Sequence, residues 1–225
     1  MKQFYLIILS AALLLACKND TSKNVESEAE TSVLTTAEKI ANAHGFENWK
    51  HVSEISFTFN VDRDTTHFER QWTWQPKTDD LRMIAGSDTI SFNRNNLDSI
   101  STVHDRAFIN DKYWLLVPFQ LVWDSNAKIS EIIKTAAPIS KDTLNKITIT
   151  YSEVGGYTPG DAYDIFFDDT FLIQEWIFRR QNAEEPSLVN TFENYTTIKG
   201  LKFAQDHKQK DVNWNLNFTD IEVKH

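Results

Sequence analysis

The sequence has 225 residues, 23 of them basic and 32 acidic, for a net charge of −9. That balance argues against a chain that holds nucleic acid or an anionic bilayer face by charge. A single cysteine excludes an internal disulfide, so the fold must rest on its core.

Lys2 is followed by an uncharged run from Phe4 to Ala16 in which Ser10 is the only hydroxyl besides that of Tyr5. The run suits the apolar core of a signal peptide and is too short to span a bilayer. It ends Leu14-Leu15-Ala16-Cys17, which resembles the lipobox read by bacterial lipoprotein signal peptidase. In that setting the cysteine is diacylated through sulfur and becomes the first residue. An ordinary secretory signal with an incidental cysteine is the alternative. The expected organisation is a signal peptide over 1–16, lipidated Cys17 with a flexible tether over 17–32, and one domain over 33–225. Two or more acyl chains hold a protein stably, so the expected state is anchored without spanning. The tether is rich in Ser, Thr, Asn, Glu and Lys, a composition that stays unfolded. Lys18-Asn19-Asp20 is a weak sorting signal; the expected site is the cell envelope, at the outer membrane, on an undetermined face.

Thr35 and Thr36 precede Ala37–Ala43, with Glu38 placed for a capping box, which predicts a short helix stopped at Gly45. Period-two alternation then begins. Ile55, Phe57, Phe59 and Val61 share one face of a strand, as do Phe68, Arg70, Trp72 and Trp74 of the next. Shorter strands are expected at Leu81–Ala85 and Thr89–Phe92, with Gly86-Ser87-Asp88 as the turn. From Asp105 to Trp123 alternation is absent and aromatics are dense. Here the pattern predicts a helix to about Val117, broken by Pro118, then an apolar loop. Ser130–Ala137 reads as a short turn or helix. Strands resume with Ile147, Ile149 and Tyr151 on one face, then Tyr163–Phe167, a turn at Asp168-Asp169, and Phe171–Arg180. Val189–Ile198, Leu201–His207 and Trp214–Val223 follow, with Lys199-Gly200 as a tight turn. This predicts a mainly β (α+β) domain, an antiparallel up-and-down sheet of about ten strands, strongly curved or nearly closed.

Motifs that carry chemistry are scarce. Hydrolase, zinc-protease, phosphate-loop and dinucleotide fingerprints do not occur. The six histidines (His44, His51, His67, His104, His207, His225) lack metal-ligand spacing. Asp161, Asp164, Asp168 and Asp169 gather near Gly160, but the calcium-loop pattern is missing and hairpin turns favour aspartate anyway. His104-Asp105 imitates part of a catalytic pair without an identifiable nucleophile. Glu184-Glu185-Pro186 reads as a solvated turn. No enzyme activity, metal or cofactor is expected.

Three segments carry a resemblance: His44-Gly45-Phe46-Glu47-Asn48-Trp49, Tyr113-Trp114-Leu115-Leu116-Val117-Pro118-Phe119, and Tyr195-Thr196-Thr197-Ile198-Lys199-Gly200-Leu201-Lys202-Phe203. With the lipobox, the tether and the order of elements, the chain resembles the periplasmic lipoprotein-carrier superfamily, which includes the Lol carrier LolA and receptor LolB. It is most similar to uncharacterised Bacteroidetes lipoproteins of that fold. The resemblance implies a half-barrel, a curved antiparallel sheet around an apolar cavity covered by a helical lid, which holds acyl chains and performs no chemistry. It assigns no arginine to a lid-closing role, and the anchor favours a receptor or static binder over a free shuttle.

In such a half-barrel the rings and aliphatic groups at Phe57, Phe59, Phe68, Trp72, Trp74, Ile147, Ile149 and Tyr151 would line the sheet. Trp114, Leu115, Phe119 and Trp123 would line the lid, and Trp214, Leu216 and Phe218 would close the wall. The same residues also suit a plain filled core. Three functions are therefore in view. The first is a monomeric, membrane-anchored module binding a hydrophobic ligand, either an acyl chain, a lipid or a lipoprotein. The second is an envelope interaction or assembly lipoprotein with a filled core. The third is an envelope glycan hydrolase with two facing carboxylates, which ranks last because the acidic residues fall mostly on turns.

Overall fold

A computed structural model describes residues 33–154 and 158–225. The expected signal peptide, Cys17 and the tether lie outside the described residues. Leu34–His225 forms one compact unit. It opens with helix α1 (Thr36–Ala43) and a 3-10 turn over Phe46–His51. Strands β1 (Glu54–Arg63), β2 (Thr66–Gln75), β3 (Asp80–Ala85) and β4 (Asp88–Asn93) lead into helix α2 (Ser99–Trp123). Then come β5 (Lys128–Ile129), β6 (Ile133–Ala136), β7 (Thr143–Thr150), β8 (Ala162–Phe167) and β9 (Ile173–Arg179). The chain finishes with β10 (Leu188–Thr191), β11 (Glu193–Ile198), β12 (Leu201–Lys208) and β13 (Trp214–Lys224).

All pairing is antiparallel, in two sheets. One has the order β11-β12-β13-β1-β2-β3-β4; the other runs β10-β9-β8-β7-β5, with β6 also on β7. Alternation on β1 and β2 does what period two requires. Ile55, Phe57 and Phe59 are buried and face Trp74, Trp72 and Arg70 across the pair. On the other side of β1, Phe59 pairs with Phe218 of β13, and the Phe57 and Phe59 rings both meet Phe218 edge-on at 5.8 Å.

The run Val189–Ile198, read from the sequence as one strand, serves both sheets. Its first half pairs with β9 and its second with β12, and Phe192 sits between them. Side chains close the seam. Asn190 Nδ2 donates to the His207 carbonyl at 3.2 Å, and Lys208 N–H donates to Thr191 Oγ1 at 3.0 Å. His207 Nδ1 donates to the Thr191 carbonyl at 3.2 Å, and its ring lies 4.4 Å from Phe192 and 5.5 Å from Trp114. The two sheets thus form one curved antiparallel wall, a half-barrel, with α2 as its helical lid.

Burial pushes His207 down to about 4, and burial does the same to His44, whose Nδ1 donates to the Ile40 carbonyl at 2.8 Å. Between pH about 6.5 and about 4 the unfolded chain binds protons at these positions and the folded chain does not, so each histidine makes folding less favourable as pH falls. Urea unfolding across that window should show a shallower pH dependence in His207→Leu than in the parent. Equal slopes would mean that the ring is protonated in the folded state.

Two segments differ from the sequence expectation. Helix α2 does not stop at Pro118 but continues to Trp123. The proline ring would meet the carbonyl four residues back, and the backbone relieves this with a kink at Leu116 (φ −116, ψ 19). Packing holds the second half in helical form, since every residue from Asp111 to Leu121 is buried. A helix buried on all sides belongs inside a protein, and α2 occupies the concave side of the wall. Ser130–Ala137, read as a turn or helix, instead supplies β6, which pairs Ile133 with Lys146 and Ala136 with Thr143. Its β-branched Ile133 and Thr135 suit that extended edge.

The α1 reading holds. Thr35 Oγ1 accepts from Glu38 N–H, and the Glu38 carboxylate accepts from Thr35 N–H at 2.8 Å. Gly45, at φ +86, turns the chain out of the helix. Two of the three segments that carry the family resemblance meet at this point. Lys202 N–H donates to the His44 carbonyl at 2.9 Å, and Asn48 Nδ2 bridges the carbonyls of Gly45 and Gly200 at 3.3 Å each.

Candidate functional site

A cleft of about 480 Å³ opens between the first half of α2 and the strands β8, β9 and β10. Helical spacing places Arg106, Ile109, Asn110 and Tyr113 on one side of α2, with Trp114 beside them. The opposite wall is Tyr163 of β8, Trp176 and Phe178 of β9, and Leu188 of β10. Its rings form a connected set. Trp176 lies 4.4 Å from Trp114, 5.1 Å from Tyr163 and 6.0 Å from Tyr113, and Tyr163 lies 5.0 Å from Phe178. Thr158, Asp161 and Arg180 complete the rim.

The floor is apolar and the rim is polar. Tyr113 and Tyr163 are buried, which pushes both phenols up, so they stay neutral at any physiological pH. Their hydroxyl chemistry is that of hydrogen bonding; Tyr113 Oη lies 3.0 Å from Tyr151 Oη. Trp176 Nε1 is buried and meets no hydrogen-bond partner among the described residues. At the rim, Arg106, Asn110 and Arg180 are exposed, and Asp161 accepts from Gln181 N–H at 2.8 Å.

The residues named from the sequence fall mostly elsewhere. Trp114 lines the cleft, and Tyr151 supports it through Tyr113. Phe57, Phe59, Trp72, Trp74, Leu115, Phe119, Ile147, Ile149, Leu216 and Phe218 are buried in one continuous core. Trp72 and Trp74 pack on Phe108 at 5.3 and 5.4 Å, and Phe119 packs on Phe46, Trp49 and Trp123 within 5.9 Å. Trp214 is half-buried, 6.4 Å from Trp114. Phe68 is 47% exposed, with the Arg70 guanidinium 5.0 Å from its ring. The far wall, Tyr163, Trp176 and Phe178, was not singled out by sequence reasoning. Its signal was the i, i+2 spacing of Trp176 and Phe178 on a strand.

Charged groups beneath the lid are engaged. Asp111, fully buried on α2, accepts from Arg70 Nε and Nη2 at 2.9 Å each and from Trp72 Nε1 at 2.8 Å. Burial raises its carboxyl above the usual range, and Arg70 works against that rise. Arg94 Nε donates to Asp105 at 2.6 Å. Lys112 is buried against the rings of Trp74, Trp123 and Phe108 at 5.2, 5.5 and 5.9 Å, and burial pushes its ammonium down to about 7. Such contacts hold the lid to the wall.

Among the described residues, no group of three or more His, Cys, Asp or Glu side chains is arranged to hold a metal. The aspartates near Gly160 are separately engaged: Asp164 with Arg179 at 3.2 Å, Asp169 with Lys134 at 3.0 Å, and Asp168 with Thr170 N–H at 2.8 Å. No helix among the described residues is long and apolar enough to cross a membrane.

No protein-family model matches this chain, and no curated protein matches it. Solved structures similar to it include a DUF1329 family protein from Desulfovibrio piger, at TM-score 0.44 and 7% identity, covering 84% of this chain and 92% of that one. MucB in complex with MucA(peri) is similar at TM-score 0.24 and 9% identity, covering 84% of this chain and 56% of that one. The Pseudomonas aeruginosa MucA/MucB complex gives 0.25 and 9%, covering 84% and 94%. Identities and scores this low say nothing of function.

Proposed function

We propose that this chain is a membrane-anchored envelope lipoprotein, not an enzyme, that binds a hydrophobic ligand in the cleft between α2 and β8–β10. The observation that carries the reading is the cleft itself. Its volume of about 480 Å³ is that of a small-molecule site, its floor is aromatic, and its charged groups sit only at the rim. An acyl chain suits such a floor. Roughly ten buried CH₂ groups contribute about 8 kcal/mol before entropy costs, without any directed polar contact. Cys17, at the end of the lipobox, would supply the anchor.

The test uses the chain from Lys18 onward, which carries all of the compact unit, with the neutral fluorescent probe N-phenyl-1-naphthylamine. Uptake should be saturable at one probe per chain. It should be lost in Ile109→Trp, which fills the cleft from the half-buried helix position. No uptake, or uptake indifferent to Ile109→Trp, would remove the cleft as the site.

A second reading is an envelope assembly lipoprotein. It draws on the filled interior and on two exposed apolar side chains in the first turns of α2, Ile100 (66% exposed) and Val103 (63%). A single exposed pair is a small patch, so the cleft reading is preferred.

A further inference from the structure

We infer that the cleft recognises an anionic amphiphile, its apolar chain on the aromatic floor and its acidic head between Arg106 and Arg180 at the rim. This rests on the cleft being the binding site, and adds the class of ligand.

Three other arginines near the lid are already paired with carboxylates. Arg70 closes on Asp111, Arg94 on Asp105 and Arg179 on Asp164, each within 3.2 Å. Arg106 and Arg180 have no such carboxylate among the described residues, and both line the cleft with the aromatic floor. They come from different elements, Arg106 from α2 and Arg180 from just past the end of β9, so the chain brings them to one rim from distant positions. The chain as a whole is acidic, at −9, which makes a rim with two guanidinium groups stand against its surroundings. Among the described residues lining the cleft, Asp161 is the one carboxylate, and one of its oxygens already accepts from Gln181 N–H at 2.8 Å. The rim therefore keeps cationic donors in excess. Guanidinium groups bind carboxylate and phosphate oxygens through paired N–H donors. A ligand matching this arrangement has an acidic head and a chain, whether the acid is a fatty carboxylate or a lipid phosphate.

Displacement of N-phenyl-1-naphthylamine reads the preference. Laurate, dodecyl phosphate, dodecanol and dodecyltrimethylammonium share a chain and differ in the head. All are used below their micelle-forming concentrations and above the pKa of the acids. The acidic members should displace the probe at about tenfold lower concentration than dodecanol, as expected for charge-assisted hydrogen bonds at a partly desolvated rim. The cation should be weakest. The double variant R106Q/R180Q should abolish the preference, read on that variant as the ratio of each acid's displacing concentration to that of dodecanol, so that a general change in probe affinity cancels; both arginines are exposed and outside the core. The order of laurate and dodecyl phosphate then says which acid is favoured. Equal displacement by laurate, phosphate and alcohol, or a preference that survives R106Q/R180Q, would overturn the inference and leave the cleft reading intact. No uptake of the neutral probe would remove both.

Discussion

Replacing Gly45 with alanine should cost at least about 3 kcal/mol in folding stability, read by urea denaturation. Two causes add. Gly45 has φ +86, where a side chain is strained whatever the space around it. A Cβ there would also lie 1.9 Å from the backbone oxygen of Gly200, and the obstacle is backbone on a tight turn, so it cannot swing aside. The contact locks the end of α1 to the β11–β12 turn. It also sets the direction of the 3-10 turn, whose Phe46 and Trp49 rings lie 6.2 and 4.9 Å from Trp123 at the end of the lid. Gly86→Ala separates the causes. Gly86 has φ +57, but a methyl group at that position would meet nothing within 4 Å, so it should lose only the strain, about 1 kcal/mol. Similar losses at the two positions would show that the close approach to Gly200 is not part of the folded state.

Asp111→Ala should be as damaging, at about 3–5 kcal/mol, because it leaves a guanidinium and an indole N–H without their acceptor beneath the lid. The carboxylate receives three hydrogen bonds of 2.8–2.9 Å from these two groups and is wholly buried, whereas Arg70 keeps 21% of its side chain in contact with solvent. Solvent access lets Arg70 recover part of its hydration, which places the loss toward the lower end of that range. Converting both partners, Arg70→Met with Asp111→Leu, should restore part of the stability, since replacing a buried pair by apolar groups is close to neutral, while the Trp72 indole N–H stays without its acceptor. A double variant as unstable as Asp111→Ala alone would mean that the pair contributes more than its own desolvation takes away. Chemical denaturation of the three proteins decides this.

The sequence made some of this legible and hid the rest for identifiable reasons. The Phe57, Phe59, Trp72 and Trp74 faces were readable because apolar and polar residues alternate along β1 and β2, even though the polar Thr58 and Asn60 of β1 are buried as well. Residues Ala162–Phe167 of β8 are buried on both faces, so nothing in its pattern sets Tyr163 apart as a cleft residue. Pro118 pointed to a helix end, but the burial of every residue from Asp111 to Leu121 outweighed the local cost of the proline. The single strand expected at Val189–Ile198 was right as a run of extended chain. Its division between two sheets depends on partners far away in sequence. Arg106 and Arg180 meet only through the topology, and nothing local to either marks it as a rim residue. The pairing of Arg70 with Asp111, 41 positions apart, is hidden in the same way.

The neighbourly position of β13 and β1 has a consequence for how the molecule comes into being. Asn60 Nδ2 bonds Thr219 across that pair at a separation of 159 positions. Closing a loop of that length must precede any gain from the contacts it brings together, so the central seam of the seven-stranded sheet forms late. Until then the aromatic face of β1 and β2 lacks one neighbour and stays wettable along an open edge. Exposed apolar surface beside an unpaired strand edge is what makes a partly folded chain prone to association before the final strand arrives.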